Sequence, residues 1–152
     1  MRYQEVTTKI QEEYNQDFYA WTIHNAQLLR EGKLSEIDIE HIAEEIESMG
    51  NGDKRELVSH LAVLIAHLLK WQYQPMRQSK SWMLTIKEQR IKIIQLLKES
   101  PSLKHEINSK LEDAYEQAVV KAEIETALDE STFPHDCPFN LDQCLDQRFF
   151  PE

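Results

Sequence analysis

The chain has 152 residues, is 41% hydrophobic and 29% charged, and carries a net charge of −10 with only three glycines. Such a length buries a core without a disulfide or metal staple, and no apolar run approaches the roughly 20 residues a membrane span needs. The acidic balance argues against broad binding to a phosphate backbone, which needs a positive face.

The N-terminal MRYQEVTTKIQEEYNQD lacks an apolar signal core, and two cysteines make no disulfide framework, so the expected compartment is the cytoplasm. Charge is unevenly placed. Between Leu69 and Lys98 there are seven Lys or Arg residues against one acid, Glu88, whereas Ser35 to Ser48 holds six acids and no Lys or Arg. Either the two segments pack together and neutralise each other, or the basic one, through Lys70, Arg77, Lys80 and Lys87, binds nucleic acid or phosphate. The first reading is preferred, so nucleic acid is not an expected partner.

The first dozen residues are polar and expected to be loosely held, which sets residues 1–13 apart from a single domain over 14–152. A helix is predicted from Asp17, a good N-cap residue, through Phe18, Trp21, Ala26 and Leu28–Leu29 to a stop at Gly32. Ser35 with Asp38 opens a second helix. Its Ile39, Ile42, Ala43, Ile46 and Met49 form one stripe, read as the inner side, and Gly50 ends it. Asp53 with Glu56 repeats the cap signature for a third helix, ELVSHLAVLIAHLLKWQ, the most continuously apolar stretch of the chain. At about 100° per residue its Leu57, Leu61, Leu64, Ile65 and Leu68 share one face. It should stop before Pro75.

A fourth helix is predicted from about Trp82 to Lys98. Ser100-Pro101 then starts a fifth, which carries Leu103, Ile107, Leu111, Ala114, Ala118, Ala122 and Leu128. From Ser131 onward, three prolines and the lack of a sustained period predict an irregular tail with one short turn at Leu141–Leu145. Phe133, Phe139, Phe149 and Phe150 should pin that tail. The fold class is all-α: a single-domain bundle of about five helices with an irregular C-terminal tail packed on it.

The polar residues inside this pattern are the informative ones. On the fourth helix Arg90 projects about 40° from Ile86, inside an apolar arc. An arginine there keeps its charge and needs carboxylate partners. Glu47 sits at the edge of the second helix's stripe, so Arg90 is expected to pair with Glu47, with Glu44 or Glu45 next in line. Glu56, His60 and His67 share a flank of the third helix with Trp71 beside them. Two histidines roughly 10 Å apart along an axis cannot chelate one ion unaided. Asp38-x-x-His41-x-x-Glu44 is a further line of possible ligands on the second helix's polar side. The paired Glu-x-x-His motifs of di-metal carboxylate bundles are missing, and His135, Cys137 and Cys144 lack a fourth ligand for structural zinc. No metal and no cofactor is expected, and no phosphate loop or hydrolase signature is present.

DFYAWT at 17–22, LLREGK at 28–33, AEEIESMG at 43–50, HLLKWQYQP at 67–75, SW at 81–82, TIKEQR at 85–90, SPSL at 100–103, TFPHDCP and LDQCLD together resemble the domain of unknown function 29 family. The likeness runs in order from about Tyr14 onward. It implies a compact all-α fold and a bacterial family abundant in cyanobacteria, and it implies no activity. The family pattern includes the carboxylates at Glu44, Glu45 and Glu47, His67, the tryptophans at Trp71 and Trp82, and Arg90.

The candidate polar cluster is therefore Glu44, Glu45, Glu47, His67, Trp71 and Arg90. The expected function is that of a protein–protein interaction or regulatory module, an acidic partner that neutralises a basic one. The alternative is a metal-dependent or acid–base enzyme working through the Glu/His/Arg cluster, with phosphoesters as the substrate class. No membrane is expected as a partner, and nothing in the sequence sets an oligomeric state.

Overall fold

The computed structural model describes the backbone of residues 2–152 and the side chains of residues 9–152. Among them are six α-helices and no strand: α1 Arg2–Gln16, α2 Phe18–Arg30, α3 Ile39–Tyr73, α4 Lys80–Glu99, α5 Leu103–Thr126 and α6 Leu141–Leu145. The all-α class is as expected. The expectation of a loosely held start falls in part on Met1 and the side chains of residues 1–8, which lie outside the described residues. The backbone of α1 is helical there, in a polar stretch whose sequence carries no cap signal.

Local chemistry explains the helix ends. Asp17 caps α2, its side chain accepting from the Ala20 N–H at 3.1 Å. At the other end Gly32 takes φ 72°, a left-handed conformation that costs glycine nothing. The Gly32 and Lys33 N–H groups then return to the Leu29 and Leu28 carbonyls, which closes the last turn. Ser79 caps α4 by accepting from the Trp82 N–H at 3.2 Å. Asn140 and Gln143 form a reciprocal capping box that starts α6 in the otherwise irregular tail.

The second and third predicted helices are one. α3 runs 35 residues without a break through Gly50, Asn51, Gly52 and Asp53. Each glycine costs a helix about 1 kcal/mol relative to alanine, and strong helix formers on both sides absorb that. The start also differs, because Asp38 rather than Ser35 precedes the first helical residue, and its carbonyl accepts from the Ile42 N–H.

The chain divides into two compact units, residues up to Asn51 and Gly52–Glu152. The second unit holds an aliphatic core: Leu57, Leu61, Leu64, Ile65, Leu68 and Leu69 of α3 are at most 1% exposed. Ile86 and Ile93 of α4, Ile107, Ala114 and Ala118 of α5, and Phe133, Phe139 and Cys144 of the tail complete it. The first unit is built differently. Among the described residues its buried side chains are Trp21, Asn25 and Asp38, and the stripe read as the inner side of the second helix faces out, with Ile39, Ile46 and Met49 exposed.

Candidate functional site

In the first unit the interior is a hydrogen-bonded network. Asp38 is 1% exposed. One carboxylate oxygen accepts from Trp21 Nε1 at 2.9 Å and lies 2.7 Å from His41 Nδ1. Its backbone N–H donates to Asn25 Oδ1 at 2.9 Å, and the Asn25 amide donates to the Trp21 carbonyl at 2.9 Å. A buried carboxylate is tolerable only when its lone pairs are met in this way. The His41 ring stacks on Tyr14 with centroids 3.9 Å apart and planes 10° off parallel. The Tyr14 hydroxyl donates to Glu45. That bond, with Glu44 and Asp38 adding negative charge nearby, pushes the Tyr14 pKa up to about 12. Tyr14 is therefore a neutral donor at physiological pH. With Asp38 on its Nδ1–H, His41 keeps Nε2 for other use.

In the second unit Arg90 is fully buried, as its helical position predicts, but its partners are not carboxylates. Nε donates to the Cys144 carbonyl at 2.7 Å, and Nη2 donates to the carbonyls of Phe149 at 2.8 Å and Gln143 at 3.2 Å. The expected pairing with Glu47 is thus replaced by main-chain acceptors of the tail. Two of these are carbonyls at the C-terminal end of α6, which no further helical turn satisfies. Nη1 has no partner. Burial pulls the guanidinium pKa down, while Cys144 and Asp146 pull it back up, and an arginine stays protonated throughout. Phe150 lies against both this guanidinium, 5.6 Å from its ring, and Trp71, with ring centroids 4.9 Å apart.

The remaining sequence candidates divide between the two units. Glu44 and Glu47 are exposed on α3, and Glu45 is half-buried against Tyr14. His67 is half-buried, its Nδ1–H donating to the Val63 carbonyl at 2.9 Å. Burial lowers its pKa below the usual imidazole value. Lys70, read as part of a basic surface, is instead 7% exposed. Its Nζ pairs with Glu125 at 2.7 Å and sits 4.5 Å over the Trp82 ring. Burial also raises the Cys144 thiol to about 12, so it is an inert packed thiol rather than a nucleophile.

Structure thus brings Trp71 and Arg90 together on Phe150, and it brings Glu45 to Tyr14 and His41. Sequence reasoning misses Tyr14 and Asn25. The available signal was Asn25, one turn after Trp21 on the inner side of a capped helix. Among the described residues no three His, Cys, Asp or Glu side chains are gathered to hold a metal ion. A cleft of about 700 Å³ beside α5, lined by Tyr115, Val119, Val120, Phe133 and Pro134 among others, contains none of the six candidates. Among the described residues no helix is long and apolar enough to cross a membrane.

Fold and cluster together define an all-α domain with a polar network in one unit and an aliphatic core in the other. The chain belongs to the family described as Domain of unknown function DUF29, whose model matches residues 13–150. No curated protein and no solved structure matches it.

Proposed function

We propose that this chain is a protein–protein interaction module whose recognition face is the first half of α3. Exposure of an apolar stripe carries this reading. Ile39, Ile46 and Met49 are 65%, 62% and 70% exposed and fall within an arc of about 80° at 100° per residue. Single exposed apolar residues are ordinary, whereas several on one helical line form a patch of the kind that partners cover. The fate of Arg90 supports the same reading, because its donors hold the tail and are not turned to a substrate. A photo-crosslinking residue at position 46 tests it in the native host, with the exposed Glu88 of α4 as control position. A discrete stoichiometric adduct at 46 and none at 88 is expected. No adduct at 46, or the same adducts at both positions, removes the reading.

Acid–base chemistry is the second reading, favoured by one observation, the Asp38–His41 pair. A carboxylate on Nδ1 orients an imidazole and leaves Nε2 for proton transfer. Phosphoesters are the substrate class to screen. Turnover lost in His41→Gln supports this alternative, and turnover absent or unchanged in that variant eliminates it.

A further inference from the structure

We infer that the solvent-facing line of α4 is a second docking face, and that its occupant is an acidic amphipathic helix of another protein. This face lies in the second unit and is independent of the α3 face. Seven Lys or Arg residues stand between Leu69 and Lys98, and the fold sorts them. Lys70 and Arg90 are buried and engaged with Glu125 and the tail carbonyls. Lys92 pairs with Glu88 at 3.0 Å. Arg77, Lys80, Lys87 and Lys98 are left exposed, with no ion pair among the described residues. In a chain of net charge −10 acids are plentiful, so these four cations mark a local surplus that the chain itself does not neutralise.

Apolar side chains are uncovered on the same segment. Met76 just ahead of α4 and Met83, Leu84 and Ile91 on it are exposed, Leu84 and Ile91 by 51% each. Helical angle brings the two kinds of residue together. At 100° per residue Lys80, Leu84, Lys87, Ile91, Ile94 and Lys98 fall within an arc of about 80°, and no acid lies in it. The buried Ile86, Gln89, Arg90 and Ile93 lie about 80° or more from the arc's centre. Glu88 and Lys92 sit about 80° and 120° round from that centre, outside the arc. From Lys80 to Lys98 the line runs about 27 Å, or five turns.

Charge and spacing select the occupant. Lys80, Lys87 and Lys98 call for acids, and Leu84, Ile91 and Ile94 between them call for apolar side chains. A helix with acids flanking an apolar seam supplies both along the whole line. A phosphate backbone supplies only the charge. Apolar residues separate each lysine from the next, and the line holds no arginine and no aromatic ring on which a base would stack. An anionic membrane fits poorly as well, because an interfacial helix sinks its main apolar face into lipid. α4 turns that face to the core, and the exposed Glu88 and Glu99 border its outward line. Two-fold pairing of this line with that of a second copy sets lysines against lysines.

Fluorescence anisotropy with the full chain is the test, using three labelled synthetic peptides of about three heptads. One has Leu at a and d with Glu on the flanks, one carries Lys for every Glu, and one scrambles the first. The Glu peptide is expected to bind at least about ten-fold tighter than the other two, with affinity falling as salt rises. Ile91→Gln should weaken it about ten-fold, and the triple change Lys80→Glu, Lys87→Glu and Lys98→Glu should switch preference to the Lys peptide. Ile46→Asp on α3 should leave the affinity unchanged, which separates the two faces. All five positions are exposed, and an unchanged circular dichroism spectrum verifies that each variant folds.

Equal binding of the scrambled or Lys peptide overturns the inference, as does an affinity indifferent to Ile91→Gln or to the charge reversal. Loss of the Glu peptide in Ile46→Asp moves the occupant to α3 and overturns it too. Phosphatidylglycerol vesicles, duplex DNA and sedimentation test the other occupants. Binding to either, or a dimer, that the triple change abolishes while the Glu peptide stays unbound assigns the line to that occupant and removes the acidic helix.

Discussion

The two units of this chain solve the problem of an interior in opposite ways. The second covers leucine, isoleucine and alanine from three helices and the tail, a non-directional gain that grows with the apolar area removed from water. The first buries Trp21, Asn25 and Asp38 and is held by directional bonds among them and His41. A hydrogen-bonded interior contributes modestly when complete and is expensive when a partner is missing. Apolar side chains of the first half of α3, Ile39, Ile46 and Met49, are left exposed. Even the exception in the second unit fits this contrast, since Arg90 is accommodated there only because three tail carbonyls meet it.

Arg90→Ala should break the aliphatic unit hardest. It removes a fully buried side chain and leaves three carbonyls unmet, a loss of about 3–5 kcal/mol. Urea unfolding measures the loss, and hydrogen exchange should place it in the tail and α4. Arg90→Lys should recover part of it, since an ammonium supplies donors but not the planar fork. A loss below about 1 kcal/mol would mean that apolar packing alone holds the tail.

Trp21→Phe is the matching change in the polar unit. The ring stays and the Nε1–H goes, so Asp38 loses a donor, and about 1–3 kcal/mol of local stability should go with it. Amide exchange should accelerate in α1, α2 and the start of α3 while the α5 amides keep their protection. Equal acceleration in both units would dissolve the contrast drawn above.

Much of this architecture is legible in the sequence, and the illegible parts share causes. Asp17 and Gly32 announce the ends of α2 because caps and left-handed stops depend on residue type. Arg90 reads as inward because Ile86, Ile93 and Ile94, three and four residues away, are apolar. Its partners do not read at all, since every residue carries a carbonyl and sequence does not say which ones come near. The Ile39, Ile46 and Met49 stripe shows the opposite limit. Periodicity tells which residues share a face, not whether that face meets protein or water. Gly50 and Gly52 mislead for a third reason, because a stop signal of about 1 kcal/mol is weak enough for a long helix to override.

A pH titration sharpens the contrast from the side of the aliphatic unit. Burial holds the His67 imidazole below its ordinary pKa of 6.5 in the folded chain. Above pH 6.5 both states carry it neutral and it contributes no slope. As pH falls through 6.5 the unfolded chain takes up a proton that the folded chain refuses, so stability declines. One proton limits that decline to about 1.4 kcal/mol per pH unit. His67→Asn should flatten this part of the profile in urea unfolding between pH 5 and 7. A variant profile that overlays the parent's would assign the slope to other groups.

Gly50→Ala has the smallest expected effect and the most informative sign. Gly50 has no positive φ, and a Cβ built there meets nothing within 4 Å. In an uninterrupted α3 the alanine therefore stabilises by about 0.5–1 kcal/mol, through better helix propensity and a less flexible unfolded chain. If a helix instead ended at Gly50 with that residue left-handed, as Gly32 is after α2, the same alanine would destabilise by a similar amount. Gly32→Ala supplies the control, since its φ of 72° predicts destabilisation whatever space surrounds it. Opposite signs at the two glycines in urea unfolding are what one continuous α3 requires. Matching signs would restore two separate helices and remove the shared scaffold on which the Ile39–Met49 face is built.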